Sequence, residues 1–208
     1  MDLDPLQHPG WPAHLSHGPV ELHPLRRGDA GEWSRLRLAN ESWLRPWEPS
    51  AGVAWSVRHT PAAYRAMRRS VARRARSGGS LPFAVRVEGR LAGQVTVDNV
   101  VRGALRSGSL GYWIDRGVAG RGMASLAVAL VCDHAFGAAG LHRLQADIRP
   151  ENLPSQRLVE RLGFRREGLL RRYLDIDGDW RDHLSYALLA EDLPGGVLGR
   201  WLSLTPRA

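Results

Sequence analysis

A glycine-rich loop between a predicted strand and a predicted helix constrains the fold of this chain more than any other feature. The loop, residues 116–122, reads Arg-Gly-Val-Ala-Gly-Arg-Gly and follows the apolar segment 111–114. Glycines let successive N–H groups converge on one point, and a helix N-terminus adds unpaired N–H groups and a positive dipole end. The sequence therefore predicts an anion site suited to phosphate, with Arg116 and Arg121 at its rim.

The helix after this loop has a strongly amphipathic pattern. Its apolar face is formed by Met123, Leu126, Ala127, Leu130 and Val131, which recur at helical spacing. The loop lacks the Gly-Lys-Ser/Thr of nucleoside triphosphatases and the G-x-G-x-x-G spacing of dinucleotide-binding folds. Both of those classes are therefore disfavoured, although the anion site remains.

The remaining periodicity predicts strands and helices in mixed order. The predicted strands are 20–25, 83–87, 92–101, 109–114, 142–148, 164–174 and 180–188, and helices follow Asp29, Pro61, Gly122 and Pro154. This order predicts an α/β or α+β fold with a mixed sheet. At this length we expect one domain over residues 18–193, with a flexible tail at 1–17 and a second tail at 194–208.

Composition limits the cellular locations, the catalytic groups and the cofactors that are expected for this chain. All 29 basic residues are arginine, so lysine chemistry is excluded, and the net charge is +8. The single cysteine, Cys132, lies in the apolar helix pattern and is interpreted as a core residue. No segment approaches the roughly 18 apolar residues of a membrane span, and His8, His14 and His17 lack the spacing of a metal site. We expect a cytoplasmic protein without a metal.

Six arginines concentrate on the predicted helix that begins at Pro61, within residues 65–76. One interpretation is attraction to ribosomal RNA or to another acidic partner. The other is a solvated helix face in a protein that uses arginine in place of lysine. The sequence leaves both open.

Several segments together resemble the GNAT acetyltransferase superfamily, and most closely its RimJ-type branch, which acetylates the N-terminal alanine of ribosomal proteins. The resemblance runs in order over roughly residues 20 to 190. The matching segments are 43–49, 98–103, 110–114, 120–122, 141–143, 151–155, 162–164, 167–168 and 176–183.

The resemblance implies a mostly antiparallel sheet in which two splayed strands hold acetyl-CoA. The pantetheine arm would pair with a strand edge, the pyrophosphate would lie on the loop amides, and Asn152 and Ser155 would contact the cofactor arm. The implied cofactor residues are Leu110, Gly111, Tyr112, Trp113, Ile114, Ala119, Gly120, Arg121, Gly122, Met123, Ala124, Asn152 and Ser155. Ala119 departs from the family, which usually has Gln or Arg there.

Catalysis would consist of attack by a neutral amine on a thioester. Ser155 either donates a proton to the leaving thiolate or only caps a helix, since the tyrosine that relatives often use as an acid is replaced by Val159. An α-amine, with a pKa of about 7.7–8.0, needs only a weak base. The base candidates are Glu48, Asp98 and Asp182.

The acceptor site is expected beside the first two helices, where Trp43, Trp47, Glu48 and Tyr112 are candidate contacts. The tryptophans either wall a slot for a peptide end or pack the loop against the core. Side chains alternate along a strand, so either Tyr112 or Trp113 faces the cleft, and we favour Tyr112. Three functions remain: acetylation of a protein N-terminus, acetylation of a polyamine or aminoglycoside, or non-catalytic binding of acyl-CoA or RNA.

Overall fold

A computed structural model describes residues 9–204 as a sheet of eight strands with helices on both faces. The strands are β1 Leu15–His17, β2 Val20–Pro24, β3 Leu81–Val87, β4 Arg90–Val101, β5 Ser107–Ile114, β6 Arg143–Ile148, β7 Arg165–Ile176 and β8 Asp179–Leu189. The α-helices are α1 Ala30–Ala39, α2 Glu41–Leu44, α3 Trp55–Arg58, α4 Pro61–Arg76, α5 Met123–Phe136, α6 Leu153–Arg161 and α7 Val197–Leu204.

The sheet order is β1-β2-β3-β4-β5-β6-β8-β7. All neighbouring strands are antiparallel except β5 and β6, which run parallel. The predicted mixed, mostly antiparallel sheet is confirmed.

The side chains of the central strands alternate between two cores. Phe83 and Val85 of β3 point into the larger core, which includes most of α5, whereas Ala84 lies in a smaller core with Trp33 of α1 and Tyr64 of α4. Burial on both faces explains why residues 81–85 form an almost continuous apolar run. The sheet is thus sandwiched between α5 on one side and α1 with α4 on the other.

The two parallel strands separate soon after they meet. Only Ser107, Gly108 and Ser109 of β5 pair with β6, whereas β4 accompanies β5 as far as Ile114. The backbone edge of β5 from Leu110 onward is therefore not part of the β6 ladder. This opening matches the splayed strand pair that the sequence resemblance implied.

Both predicted tails differ from expectation where the structure describes them. Trp11 packs edge-on against Phe83 with ring centroids 5.2 Å apart, and β1 pairs with β2. Residues 197–204 form α7, whose Trp201 is buried. Periodicity missed both segments because they are short and are held by contacts with distant parts of the chain. Residues 1–8, with His8, and 205–208 lie outside the described part.

Two searches were negative over residues 9–204. No helix there is both long and apolar enough to cross a membrane. No group of three or more His, Cys, Asp or Glu side chains there is arranged to hold a metal ion.

Candidate active site

The glycine-rich loop and the start of α5 form one end of a cleft. Gly120 and Gly122 have φ angles of +76° and +78°, values that favour glycine. Gly122 is the N-cap of α5 and supplies no side chain, so no side-chain hydrogen bond caps this helix. The first N–H groups of α5 are therefore left to an external acceptor, as the predicted anion site requires.

The cleft has a volume of about 610 Å³ and runs from this loop along β5 and α6. Most of the predicted cofactor residues line it. They are Tyr112, Trp113, Ile114, Ala119, Gly120, Gly122, Ala124, Asn152 and Ser155. Leu110 and Met123 instead pack into the larger core, and Gly111 and Arg121 are exposed outside the lining.

Two hydroxyl groups meet inside the cleft. The phenol oxygen of Tyr112 lies 2.7 Å from Oγ of Ser155, a distance at which either group can donate. Burial raises the pKa of Tyr112 above its ordinary value, which keeps the phenol protonated. The sequence placed both residues in the cleft but did not predict this pair, and Val159 is a fully buried core residue. A phenol from β5 thus lies beside the α6 serine.

Asn152 has a local structural role. Its side-chain oxygen accepts the backbone N–H of Ser155 at 3.2 Å and caps α6. The capping interpretation considered for Ser155 therefore belongs to Asn152, and Oγ of Ser155 faces Tyr112 instead. Asn152 still lines the cleft, with its side-chain oxygen committed to the helix.

The two tryptophans of the 43–49 segment, Trp43 at the end of α2 and Trp47 just after it, differ in their contacts. The indole N–H of Trp43 donates to the carbonyl of Ile114 at 3.1 Å, which ties this segment to the end of β5. Trp47 is 36% exposed, and the guanidinium of Arg149 lies 5.4 Å from its ring centre. Both line the cleft. Trp43 therefore both packs against the end of β5 and lines the cleft, whereas part of the Trp47 ring is exposed to solvent.

Glu48 lies between two arginines at the wall of the cleft. Its carboxylate contacts Arg37 at 2.6 Å and Arg58 at 3.3 Å. Arg37 is only 2% exposed, and its guanidinium lies 4.9 Å from the ring centres of both Trp55 and Trp113. Glu48 is therefore a fixed anion with a defined orientation.

His59 packs against Arg37 and Trp55 and belongs to the same cluster as Glu48. Its Nδ1 lies 2.8 Å from the Trp55 carbonyl, and Nη2 of Arg37 lies 3.0 Å from its Nε2. Burial, together with the charge of Arg37, lowers the pKa of His59 to about 4. His59 is thus neutral near pH 7, with Nδ1 donating and Nε2 accepting.

A second cavity of about 680 Å³ adjoins the cleft, and Glu48 lines both. It lies between the 48–58 segment and the β7–β8 turn. Ser50 holds these parts together, because its N–H donates to the Asp175 carbonyl and its hydroxyl donates to the Asp175 carboxylate. Arg45 adds an ion pair with Asp177 at 2.8 Å.

Two predicted base candidates lie away from the cleft. The Asp98 carboxylate pairs with Arg74 at 2.8 Å beside the far end of β5. Asp182 accepts the backbone N–H of Arg172 at 2.7 Å within the β7–β8 hairpin. Neither residue lines either cavity. Both have structural hydrogen-bonding roles, which leaves Glu48 as the predicted base candidate that the fold brings to the cleft.

The sequence analysis missed several residues of the site. Arg157 and Arg161 line the cleft from α6, one helical turn apart, and their i, i+4 spacing after Asn152 was the available signal. Arg37, Arg58 and His59 carried no such signal, because remote segments bring them together.

Comparisons with known proteins agree with this geometry. A family model described as an acetyltransferase (GNAT) domain matches residues 20–165. Mycobacterium smegmatis RimJ, solved in complex with CoA-disulfide, superposes with a TM-score of 0.92 and 44% identity, covering 95% of this chain and 97% of that chain.

Two curated relatives extend the comparison. The ribosomal protein uS5-alanine N-acetyltransferase of Escherichia coli (strain K12) is 32% identical over 170 residues, which are 81% of this chain and 86% of the relative. The probable N-acetyltransferase YjcK of Bacillus subtilis (strain 168) is 42% identical over 103 residues, so the match spans only 57% of that relative's length and 50% of this chain. The chain belongs to the GNAT acetyltransferase family.

Proposed function

We propose that this acetyltransferase moves the acetyl group of acetyl-CoA to the N-terminal α-amino group of a protein, with ribosomal-protein alanine as the acceptor class. Enzymes of the family use acetyl-CoA, and the chain is similar to ribosomal-protein alanine acetyltransferases. The observation that carries the proposal is one continuous path. The uncapped start of α5 leads along the open β5 edge to the Tyr112–Ser155 pair, and Glu48 connects that cleft to a second cavity.

The cleft suits acetyl-CoA in three respects. The free β5 edge offers backbone groups to the amides of a pantetheine arm. The uncapped α5 N–H groups suit a pyrophosphate, and Arg157 and Arg161 stand across the cleft as further cations. When bound, acetyl-CoA supplies the acetyl group as a thioester.

We assign to the Tyr112–Ser155 pair the role of donating a proton to the leaving thiolate. The two hydroxyls share a hydrogen bond, so the one that protonates the thiolate can recover a proton from the other. Burial raises the pKa of Tyr112, so the phenol keeps its proton and is available as a hydrogen-bond donor. The C–S bond breaks as the new C–N bond forms, the pair protonates the departing thiolate, and water carries the surplus proton of the amine back to the pair.

Glu48 is assigned to orientation of the acceptor amine. Both of its oxygens already contact arginines, which makes it better suited to orienting a neutral amine, directly or through an ordered water, than to abstracting a proton on its own. An α-amine titrates near pH 7.7–8.0, so a usable fraction is neutral without a strong base. Positioning two substrates side by side supplies most of the acceleration.

The alternatives are less well supported. A polyamine or an aminoglycoside carries several positive charges and favours a cavity with free carboxylates. In the second cavity, however, Glu48 and Asp177 are paired with arginines, and Asp175 accepts a hydroxyl. A non-catalytic acyl-CoA- or RNA-binding module has no need for the Tyr112–Ser155 pair.

A turnover assay tests the proposal. The protein is incubated with acetyl-CoA and a panel containing Ala- and Ser-starting peptides, a polyamine and an aminoglycoside, and free thiol is followed. We expect turnover with the peptides. Turnover only with the polyamine or the aminoglycoside contradicts the assigned acceptor, and binding of acetyl-CoA without turnover on any amine contradicts the enzyme itself.

For partners, we propose that the arginines of α4 contact ribosomal RNA. Arg65, Arg69, Arg73 and Arg76 are exposed, and within residues 9–204 the helix arginine with a carboxylate partner is Arg74. Replacing those four arginines with glutamine should weaken salt-dependent RNA binding and leave turnover on free peptides unchanged. A cytoplasmic location stays a prediction.

A further inference from the structure

The C-terminal helix α7 lies against both helices that form the nucleotide end of the cleft. It follows Gly196, whose φ is +76°. The backbone N–H groups of Val197 and Leu198 donate to the two carboxylate oxygens of Asp133 on α5, at 2.6 and 3.0 Å. A carboxylate at a helix start satisfies N–H groups that otherwise lack partners. The beginning of α7 is thus fixed to α5.

A second contact fixes α7 to α6. Nε of Arg200 donates to the carbonyl of Arg161 at 2.8 Å, at the end of the helix whose Arg157 and Arg161 line the cleft. Gly163, just after α6, lies beside this contact, since a Cβ built there would be 3.4 Å from Nε of Arg200. One short helix therefore connects the two opposite walls of the cleft.

Trp201 of α7 reaches the glycine-rich loop itself. It is 8% exposed and belongs to the larger core. Its Cζ2 atom is the near neighbour of Gly122, 3.3 Å from where a Cβ would lie on that residue. Gly122 is the N-cap of α5, with φ at +78°. The indole therefore backs the residue whose conformation aims the first N–H groups of α5 into the cleft.

We propose that Trp201 is a positioning residue for acetyl-CoA, acting through Gly122, and that α7 is part of the cofactor site although it lies beyond residues 20–165, where the family model matches. An anion site built from backbone amides binds tightly only when those amides are held in place beforehand. Trp201 supplies that support on the core side of the loop. The inference rests on the proposed binding of acetyl-CoA to this cleft.

The test compares two tryptophans of the same core. Trp201→Ala should raise the Kd for acetyl-CoA by about tenfold, while kcat at saturating acetyl-CoA and KM for the acceptor peptide change by less than about twofold. Trp201→Phe, which keeps an aromatic ring beside Gly122, should recover most of the affinity. Trp11→Ala is the matched control, because Trp11 packs on Phe83 in that core and does not line the cleft.

The outcomes are separable. If Trp201→Ala and Trp11→Ala weaken acetyl-CoA binding equally, or if Trp201→Ala binds as the wild type does, the positioning role is wrong while the proposed function stands. If the wild-type protein does not bind acetyl-CoA, the proposed function fails and this inference with it. Should Trp201→Ala not fold, Trp201→Leu, which keeps apolar volume but no ring, decides the same question by the same Kd comparison.

Discussion

The two ends of the site are built from different materials. At the end where we propose that the nucleotide binds, the groups facing the cleft are backbone amides, and their direction is set by Gly120 and Gly122. At the proposed acceptor end, side chains from remote segments meet: Arg37 from α1, Glu48 after α2 and His59 after α3. The end at the glycine-rich loop is formed by one continuous segment of the chain, whereas the end at Glu48 is assembled from distant segments by folding.

This difference predicts different responses to substitution. Backbone amides tolerate side-chain changes as long as the loop conformation survives, so damage should come from loss of glycine. A cluster of buried charges and stacked indoles depends on each member, because removing one leaves a partner unsatisfied in a poorly solvated place. Each prediction below separates the two ends.

The largest effect is expected from Gly122→Val. A branched side chain at φ +78° is strained and would meet Trp201, so the loop amides should be misdirected. We expect acetyl-CoA affinity to fall by at least about a hundredfold in calorimetry, with the fold retained. Gly103→Val is the control, because Gly103 also has positive φ, at +71°, but open space around it. Equal affinity of the two variants for acetyl-CoA would contradict a role of the loop in binding the cofactor.

The next largest effect concerns the hydroxyl pair between the two ends. Tyr112→Phe and Ser155→Ala should each lower kcat by about a hundredfold, the lower range for loss of a general acid, with the Kd for acetyl-CoA nearly unchanged. Because the two hydroxyls act as one donor, the double variant should be no slower than the worse single variant. Fully multiplicative losses in steady-state kinetics would contradict a shared role.

A smaller effect is expected from Glu48→Gln at the acceptor end. Loss of the fixed anion should raise KM for the peptide by about tenfold, the value of one charged hydrogen bond, and leave acetyl-CoA affinity unchanged. Glu167→Gln is a matched control, since Glu167 pairs with Arg143 on an exposed strand outside both cavities. An unchanged KM for the peptide in Glu48→Gln would contradict a role of Glu48 in binding the acceptor.

The smallest effect on activity, but a direct one on stability, concerns His59. Its pKa is about 4 when folded and near 6.5 when unfolded, so the unfolded chain binds more protons between those values. The contribution is complete above pH 6.5 and is lost as pH falls toward 4, by about 2 kcal/mol between pH 7 and 5. In denaturant unfolding, the wild type should lose more stability between pH 7 and 5 than His59→Gln does, because His23 and His183, whose pKa values burial also lowers, titrate in both proteins. Parallel slopes would contradict a buried neutral His59.

How much the sequence could predict follows the same division. Local signals predicted β2 to β8, α1, α4, α5 and α6 within a few residues, because apolar periodicity, helix caps and glycine positions are local properties of the sequence. The loop pattern indicated the anion site at Gly120 and Gly122, whereas the resemblance to the GNAT family implied that Tyr112 and Ser155 share its cleft. These residues lie on or beside the strand–loop–helix unit, where sequence distance and spatial distance agree.

The rest depended on contacts between distant segments. Nothing in the spacing of Arg37, Glu48 and His59 indicates that they meet. The sequence also does not distinguish Asp98 from Glu48 as a base, because only the fold brings Glu48 to the cleft and leaves Asp98 outside both cavities. Trp11 and Trp201 lie in short segments that periodicity assigned to tails, and only their burial reveals that they belong to the core.

The most direct test of the central claim locates the acetyl group on one acceptor. A peptide that begins with alanine and carries an internal lysine is incubated with the protein and acetyl-CoA near pH 7.5, and the product is sequenced by tandem mass spectrometry. The account predicts one acetyl group on the N-terminal α-amine and none on the lysine, whose amine is largely protonated at that pH. Acetylation of the lysine side chain in preference to the N-terminus would contradict it.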